Sequence, residues 1–299
     1  MPTEKLNIVV GIATSGRREV LAQTIALLAA QSRLPDALVI CPVVAEDIDS
    51  FSLKKFPRPA RVVSGPLGLP AQRNRILSVV TDADIIVFFD DDFFSDARYL
   101  ENLEVIFLGH PDVVALTGVL LADGAKGPGL SVKTGLQIVQ SIANSPGSGG
   151  EIFDCYGTYG CNMAFRLKPI VRHNVTFDEN LPLYGWQEDI DFSRRVLPYG
   201  RIVRSASLRG VHLGIKLGRT SGVRFGYSQI ANPVYLIRKG SMSWRHAVKL
   251  IWRNLAANLV RSVYPEPWID RKGRLKGNCL AIVDIAIGRS SPGRILQLD

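Results

Sequence analysis

Short apolar runs bounded by polar turns fill most of the chain, and amphipathic helical spacing takes over toward its C-terminal end. Leu6 to Ile12 predicts a buried strand, and Thr14-Ser15-Gly16-Arg17-Arg18 a turn into a helix from about Glu19 to Gln31, whose apolar residues fall at 21, 25, 28 and 29. Ala37 to Val44 predicts a second strand. A strand, helix, strand succession implies a right-handed parallel crossover, which gathers ligands at the carboxyl ends of the strands. The run from Ile85 to Phe93 dominates the pattern: Ile85-Ile86-Val87-Phe88-Phe89 predicts a strand buried on both faces, and it ends abruptly in Asp90-Asp91-Asp92. Gly65 to Pro70 forms a rigid loop, and Ala71-Gln72-Arg73-Asn74-Arg75 opens the next helix. Gly118 to Gly150 shows little pattern and ends in a Gly- and Ser-rich stretch, which predicts a mobile lid or an unstructured connection. Tyr159 to Arg166 predicts a short strand, and Leu183 to Phe192 the start of a helix.

Three adjacent carboxylates at a strand tip repel one another, and apolar flanks leave little water to spread that charge. Asp90 and Asp92 offer hard oxygen ligands that suit Mg²⁺ or Mn²⁺; the alternative is a solvated acidic loop in which Asp96 caps the next helix. Arg73 and Arg75 sit at a helix start, where the dipole disfavours cations, so each either meets an incoming phosphate or carbonyl or pairs with a nearby acid. In Trp186-Gln187-Glu188-Asp189-Ile190-Asp191-Phe192, helical geometry puts Glu188 and Phe192 on one face and Asp189 about 100° away, so one acid can face a cleft while another caps or pairs. The first turn lacks G-x-G-x-x-G, so no dinucleotide cofactor is expected.

Composition adds one asymmetry. Hydrophobic content of 46% and charged content of 21% are those of a globular protein, while the net charge of +9 is unevenly spread. Residues 1–193 carry 16 Lys+Arg against 23 Asp+Glu, and residues 194–299 carry 20 against 4. An acidic, metal-using first part and a second part attractive to polyanions fit this division. Cys41, Cys155, Cys161 and Cys279 show neither metal spacing nor a disulfide framework and read as reduced thiols. No apolar segment approaches the ~20 residues that cross a bilayer, and Leu6 to Ala13 lacks the form of a signal peptide, so a cytoplasmic location is expected. Ser243 to Val263 places Trp244, Val248, Ile251, Leu255, Leu259 and Val263 at helical spacing, with Arg245, Lys249, Arg253 and Arg261 off that line. Such a helix either packs its stripe on the protein or meets an anionic membrane surface peripherally, with Trp244 and Trp252 at the interface. The aromatics follow the stripe and form no stacking platform, so nucleic acid is not the expected partner. Arg271 to Gly277 reads as a turn before a helix from about Asn278 to Ile287.

Taken together, Phe89-Asp90-Asp91-Asp92, Arg73-Asn74 after a Gly-Pro loop, Gly160-Cys161-Asn162-Met163-Ala164-Phe165 and Trp186-Gln187-Glu188-Asp189 resemble the family 2 glycosyltransferases, in order and over most of the chain. The resemblance implies an α/β GT-A fold, a Rossmann-like, mostly parallel sheet with flanking helices. It also implies inverting sugar transfer from a nucleoside diphosphate sugar to a saccharide or lipid-linked acceptor, as in bacterial polysaccharide assembly. On that pattern residues 1–225 form the catalytic domain, with a nucleotide-sugar half to about 117 and an acceptor half after it, and 226–299 a basic helical extension. Asp90 and Asp92 would hold the metal with His212; Thr14, Arg17, Asp47, Arg73, Asp90, Asp91, Lys216 and Arg219 would hold the nucleotide sugar. Asp189 would be the general base, with Glu188 beside it, and Trp186 and Asn162 would meet the acceptor. One departure is the second strand, which the family usually ends in acids and which here continues through Val43-Val44-Ala45-Glu46 before Asp47, leaving the nucleotide base open. Nucleotidyl transfer to a sugar phosphate is the competing enzyme class, for which Thr14 to Arg18 is only a partial phosphate loop.

Overall fold

The computed structural model describes residues 5–142, 151–216 and 221–299. In chain order its strands are β1 (Ile8–Thr14), β2 (Ala37–Pro42), β3 (Ala60–Val62), β4 (Ile85–Asp90), β5 (Phe93–Ser95), β6 (Val113–Asp123), β7 (Ile152–Asp154), β8 (Asn162–Arg166) and β9 (Arg201–His212). The helices are α1 (Arg18–Ala29), α2 (Ser50–Lys54), α3 (Leu69–Leu77), α4 (Tyr99–Gly109), α5 (Val132–Ile142), α6 (Leu167–Arg172), α7 (Glu188–Val196), α8 (Gly222–Lys239), α9 (Trp244–Arg261) and α10 (Arg271–Ala286). Contacts divide the chain into two compact units: residues 1–67, 71–176 and 196–218, and residues 68–70, 177–195 and 219–299.

The first unit holds the whole sheet, in the order β3-β2-β1-β4-β8-β6-β9-β5, with β7 on β9. Strands β1, β2, β3 and β4 run parallel, as the strand, helix, strand succession predicts. β8 then joins antiparallel to both β4 and β6, and β6 pairs parallel with β9. All of β1, and β4 up to Phe89, is buried, which is why both read as continuous apolar runs. Thr14 ends β1 and Asp90 ends β4, so the turn into α1 and the acid cluster share one edge of the sheet.

Two expectations change. Gly118 to Gly150 is not a patternless loop over its described part: β6 runs on to Asp123, and α5 packs Leu136 and Val139 against Phe94, Val211 and Leu213. The glycines that look like loop signals are sites of close backbone approach. A Cβ at Gly118 would sit 2.3 Å from Leu208 O, and one at Gly135 would sit 2.4 Å from Leu213 Cδ2. Residues 143–150, the Gly- and Ser-rich end of that stretch, lie outside the described residues.

The second change is at the C-terminal end, where residues 271–277 form the first turns of α10 and not a separate turn. Gly277 lies against Val223 O and Gly226 against Arg274 O, so the glycines let α8 and α10 cross closely. Around that crossing the second unit buries Tyr227, Ile230, Ala231 and Ala281. Asn258 and Asn278 hydrogen-bond inside it, at 2.9 Å. No helix among the described residues is long and apolar enough to cross a membrane.

Candidate active site

Each acid of the strand-tip triplet has a different set of partners. Asp91 is buried, accepts from Thr14 Oγ1 and from Arg17 Nη1 at 2.8 Å each, and gives its main-chain carbonyl to Thr24 Oγ1 at 2.7 Å. Asp90 Oδ1 accepts from Arg73 Nη2 at 3.0 Å. Arg73, only 1% exposed, also donates to Gly160 O at 2.8 Å, so it pairs with an acid of the triplet as one of the two sequence alternatives had it. Gln72 fixes the start of α3 beneath it by donating to Thr14 O and Cys41 O at the tips of β1 and β2.

Asp92 is 1% exposed, which excludes a solvated loop. Its Oδ2 accepts from Ile215 N at 2.9 Å, while Oδ1 is buried with no hydrogen-bond partner, 3.4 Å from His212 Nε2. Asp90 Oδ2 lies 3.9 Å from the same nitrogen. His212 reaches this point because β9 pairs in register with both β5, opposite Phe93, and β6, opposite Asp123. Its other nitrogen, Nδ1, is 3.0 Å from Asp123 Oδ1, and Tyr159 donates its hydroxyl to Asp123 Oδ2 at 3.2 Å.

The charges are strongly coupled. Burial alone would lower His212, but Asp123 and Asp92 outweigh it and lift it to about 10; burial alone would raise Asp92, yet His212, Arg17 and the Ile215 amide hold it down at about 2. Asp123 is likewise held at about 2, chiefly by His212 against burial. Burial pushes Asp91 up, against the pull of Arg17. Burial would also lower Arg17, but Asp91 and Asp92 keep its guanidinium charged.

Asp90, Asp92 and His212 place one ligand atom each within 4.8 Å of one another. Two carboxylate oxygens and an imidazole nitrogen, one of the oxygens buried without a donor, fit a small divalent cation such as Mn²⁺ or Mg²⁺. The Asp123 contact supplies the carboxylate that commonly orients a metal-bound histidine.

The remaining expected residues fall as follows. Asp47 is buried and accepts from the amides of Gly16 and Val44, tying its loop to the turn after β1. Lys216 donates to the carbonyls of Gly124 and Ala125, and Arg219 lies outside the described residues. Asn162 is fully buried, and its Oδ1 bridges Thr117 Oγ1 and Gly118 N across β8 and β6. Trp186, Glu188 and Asp189 belong to the second unit. There Glu188 is buried, Asp189 is half-buried, and the carbonyl of Trp186 accepts from Asn232 Nδ2 at 2.8 Å. The backbone just before α7 is unusual, with positive φ at Leu183, Gly185 and Gln187, a local conformation that only Gly adopts freely.

Asp123 escaped the sequence reading, and so did Tyr159 as its partner. Asp123 follows Val119-Leu120-Leu121-Ala122 as Asp90 follows Phe89, an acid at the tip of an apolar run, but Gly118 hid the strand. Asp96, considered as a helix cap, accepts from Arg98 N and is held by Arg209 at 2.7 Å.

No family model and no curated protein matches the sequence. Among solved structures, 99% of the chain aligns with the mannosyltransferase PcManGT from Pyrobaculum calidifontis in complex with GDP-Man and Mn²⁺, at a TM-score of 0.57, 16% identity and 79% coverage of that chain. Residues 1–349 of S. aureus TarS align with 98% of the chain at a TM-score of 0.57 and 13% identity, covering 83% of that chain. GalNAc-T7 with UDP, GalNAc and Mn²⁺ aligns with 98% of the chain at a TM-score of 0.57 and 12% identity, over 57% of its own length. The chain therefore has the GT-A fold, a mixed α/β sheet flanked by helices.

Proposed function

We propose that the chain is a metal-dependent inverting glycosyltransferase of the family 2 type. It moves a sugar from a nucleoside diphosphate sugar to a hydroxyl of a saccharide or lipid-linked acceptor in polysaccharide assembly. The observation that carries this reading is the grouping of Asp90, Asp92 and His212, one ligand atom from each within 4.8 Å of the others, on the edge where a parallel sheet gathers ligands. The neighbours' GDP-Man, UDP-GlcNAc and UDP support a nucleotide-sugar donor.

Asp90, Asp92 and His212 would hold Mg²⁺ or Mn²⁺, and the ion when bound supplies charge stabilisation for the departing diphosphate. Arg17 and Thr14 occupy Asp91, so Asp91 braces the turn and adds less net negative charge where the diphosphate sits. Arg73 holds one oxygen of Asp90, with the other near His212. Asp47 sets the turn that bounds the base side, and Lys216 and Arg219 bring positive charge to the diphosphate. On the acceptor side Asp189 takes the hydroxyl proton as the acceptor oxygen bonds to the anomeric carbon and the bond to the diphosphate oxygen breaks. Trp186 would meet that acceptor, with Glu188 beside the base, whereas Asn162, fully buried and bridging Thr117 and Gly118, braces β8 against β6 instead.

A thermal-shift panel of nucleoside diphosphates with and without Mn²⁺ tests the donor side. A shift that needs both ion and nucleotide is expected, together with release of nucleoside diphosphate on turnover. Pyrophosphate release would mean nucleotidyl transfer, and no ion-dependent shift with any nucleotide would sink the reading.

A further inference from the structure

Helix α9 has two faces, and only one is used inside its unit. Ala247 and Asn258 are buried, Asn258 donates to Gln229 of α8 at 2.7 Å, and Ile251 packs on the core around Tyr227. The stripe expected from the sequence is thus split. Ile251 and Leu255 turn partly inward, while Trp244, Val248, Leu259 and Val263 stand exposed with Trp252. Trp244 and Trp252 are 62% and 64% exposed, two helical turns apart. Exposed tryptophans at that spacing, on the face of α9 turned away from Ala247 and Asn258, leave an apolar strip in water.

The strip has a cationic border. Arg245, Lys249 and Arg253 are exposed beside it, Arg245 sits over the Trp244 ring at 5.6 Å, and α9 contains no acid. We infer that this face of α9 docks on an anionic lipid bilayer, with Trp244, Val248, Trp252 and Leu259 at the level of the headgroups and acyl boundary and the Arg and Lys side chains on lipid phosphates. Trp is suited to that depth, and long cationic side chains reach outward from it to the phosphates. A second copy of the chain fits less well, because two such faces would oppose cation to cation. Nucleic acid would meet the cations but leave Val248, Leu259 and Val263 in water.

The test uses the full chain and needs no substrate, so it stands or falls apart from the sugar-transfer reading. Flotation with vesicles of phosphatidylglycerol mixed equally with phosphatidylcholine should carry the protein up, and vesicles of phosphatidylcholine alone should carry much less. Trp244→Ser with Trp252→Ser, and separately Lys249→Glu with Arg253→Glu, should each weaken binding by at least about tenfold, on surface side chains whose loss leaves the fold intact. The tryptophan emission should shift to the blue on anionic vesicles and lose that shift in the double Trp variant. No flotation of the parent protein, or undiminished flotation of both variants, overturns the inference. So does a concentration-dependent dimer that the Trp substitutions abolish, or oligonucleotide binding in place of lipid binding.

Discussion

Asp90-Asp91-Asp92 in the first unit and Glu188-Asp189-Ile190-Asp191 in the second each crowd three carboxylates into a few residues, and they relieve the repulsion differently. In the first, each acid meets a cation or an imidazole: Arg73 lies 3.0 Å from Asp90, Arg17 lies 2.8 Å from Asp91, and His212 lies 3.4 Å from Asp92. In the second, the last acid meets two cations, since Asp191 is fully buried with Lys239 at 2.7 Å and Arg195 at 3.7 Å, while Asp189 stays half-buried. A cluster of acids is therefore not one site but a division of labour. Lysine and arginine can only neutralise the acid they meet, whereas the imidazole beside Asp90 and Asp92 can join them in ligating a metal ion.

The sharpest way to break this comparison is Asp189→Asn against Asp92→Ala. Replacing the proposed base should cost transfer roughly 10²- to 10⁴-fold while nucleotide-sugar binding stays near the parent's. If donor affinity fell in step with turnover, Asp189 would not be the base. Asp92→Ala should cost several kcal/mol of transition-state stabilisation, roughly a thousandfold in rate, and should also erase the Mn²⁺-dependent part of nucleotide binding in calorimetry. Nucleotide binding that kept its full Mn²⁺ dependence would remove Asp92 from the metal site.

Lys239→Met probes the structural half of the second cluster. It strips Asp178 and Asp191 of a shared cation, and a buried carboxylate left that way costs about 3 kcal/mol. Chemical denaturation should show the loss. Burial by itself would raise Asp178, but Lys239, Tyr235 and the Asn180 amide outweigh it and lower its pKa. The stability it contributes is therefore present above the unfolded carboxylate pKa and is lost as pH falls through the folded one. Lys239→Met should flatten that acid dependence, and an unchanged acid limb would show that the pair contributes nothing.

Much of this was legible beforehand, and the reasons differ by residue. Fully buried parallel strands read as continuous apolar runs, so β1, β2 and β4 lie within about two residues of their expected limits, the usual uncertainty of helix and strand ends. The acid triplet was visible because charge ends an apolar run. Which acid does what was not visible, because Arg17 lies 74 residues from Asp91 along the chain and meets it only through the parallel pairing of β1 and β4. The glycines misled for a physical reason: Gly118, Gly135 and Gly277 mark close contact with another segment, and local sequence cannot separate that from a turn.

Asp123 is the residue where that blindness matters for function, and its variant is the smallest and most discriminating test. In the scheme proposed here it touches no substrate and holds His212 by Nδ1, so Asp123→Asn should act through the histidine's orientation and basicity. Mn²⁺ affinity, measured by calorimetry on the protein without nucleotide, should fall about 10- to 100-fold, the usual range for a carboxylate behind a metal-bound histidine. Tyr159→Phe, which removes the hydroxyl that lies 3.2 Å from Asp123, should lower it less. Thermal stability separates this from a packing defect, because Asn keeps the shape and still accepts a hydrogen bond from the imidazole. A variant that melts like the parent yet binds Mn²⁺ equally well would mean that His212 is placed by β9 alone and that Asp123 belongs to the structural class of acids, with Asp191.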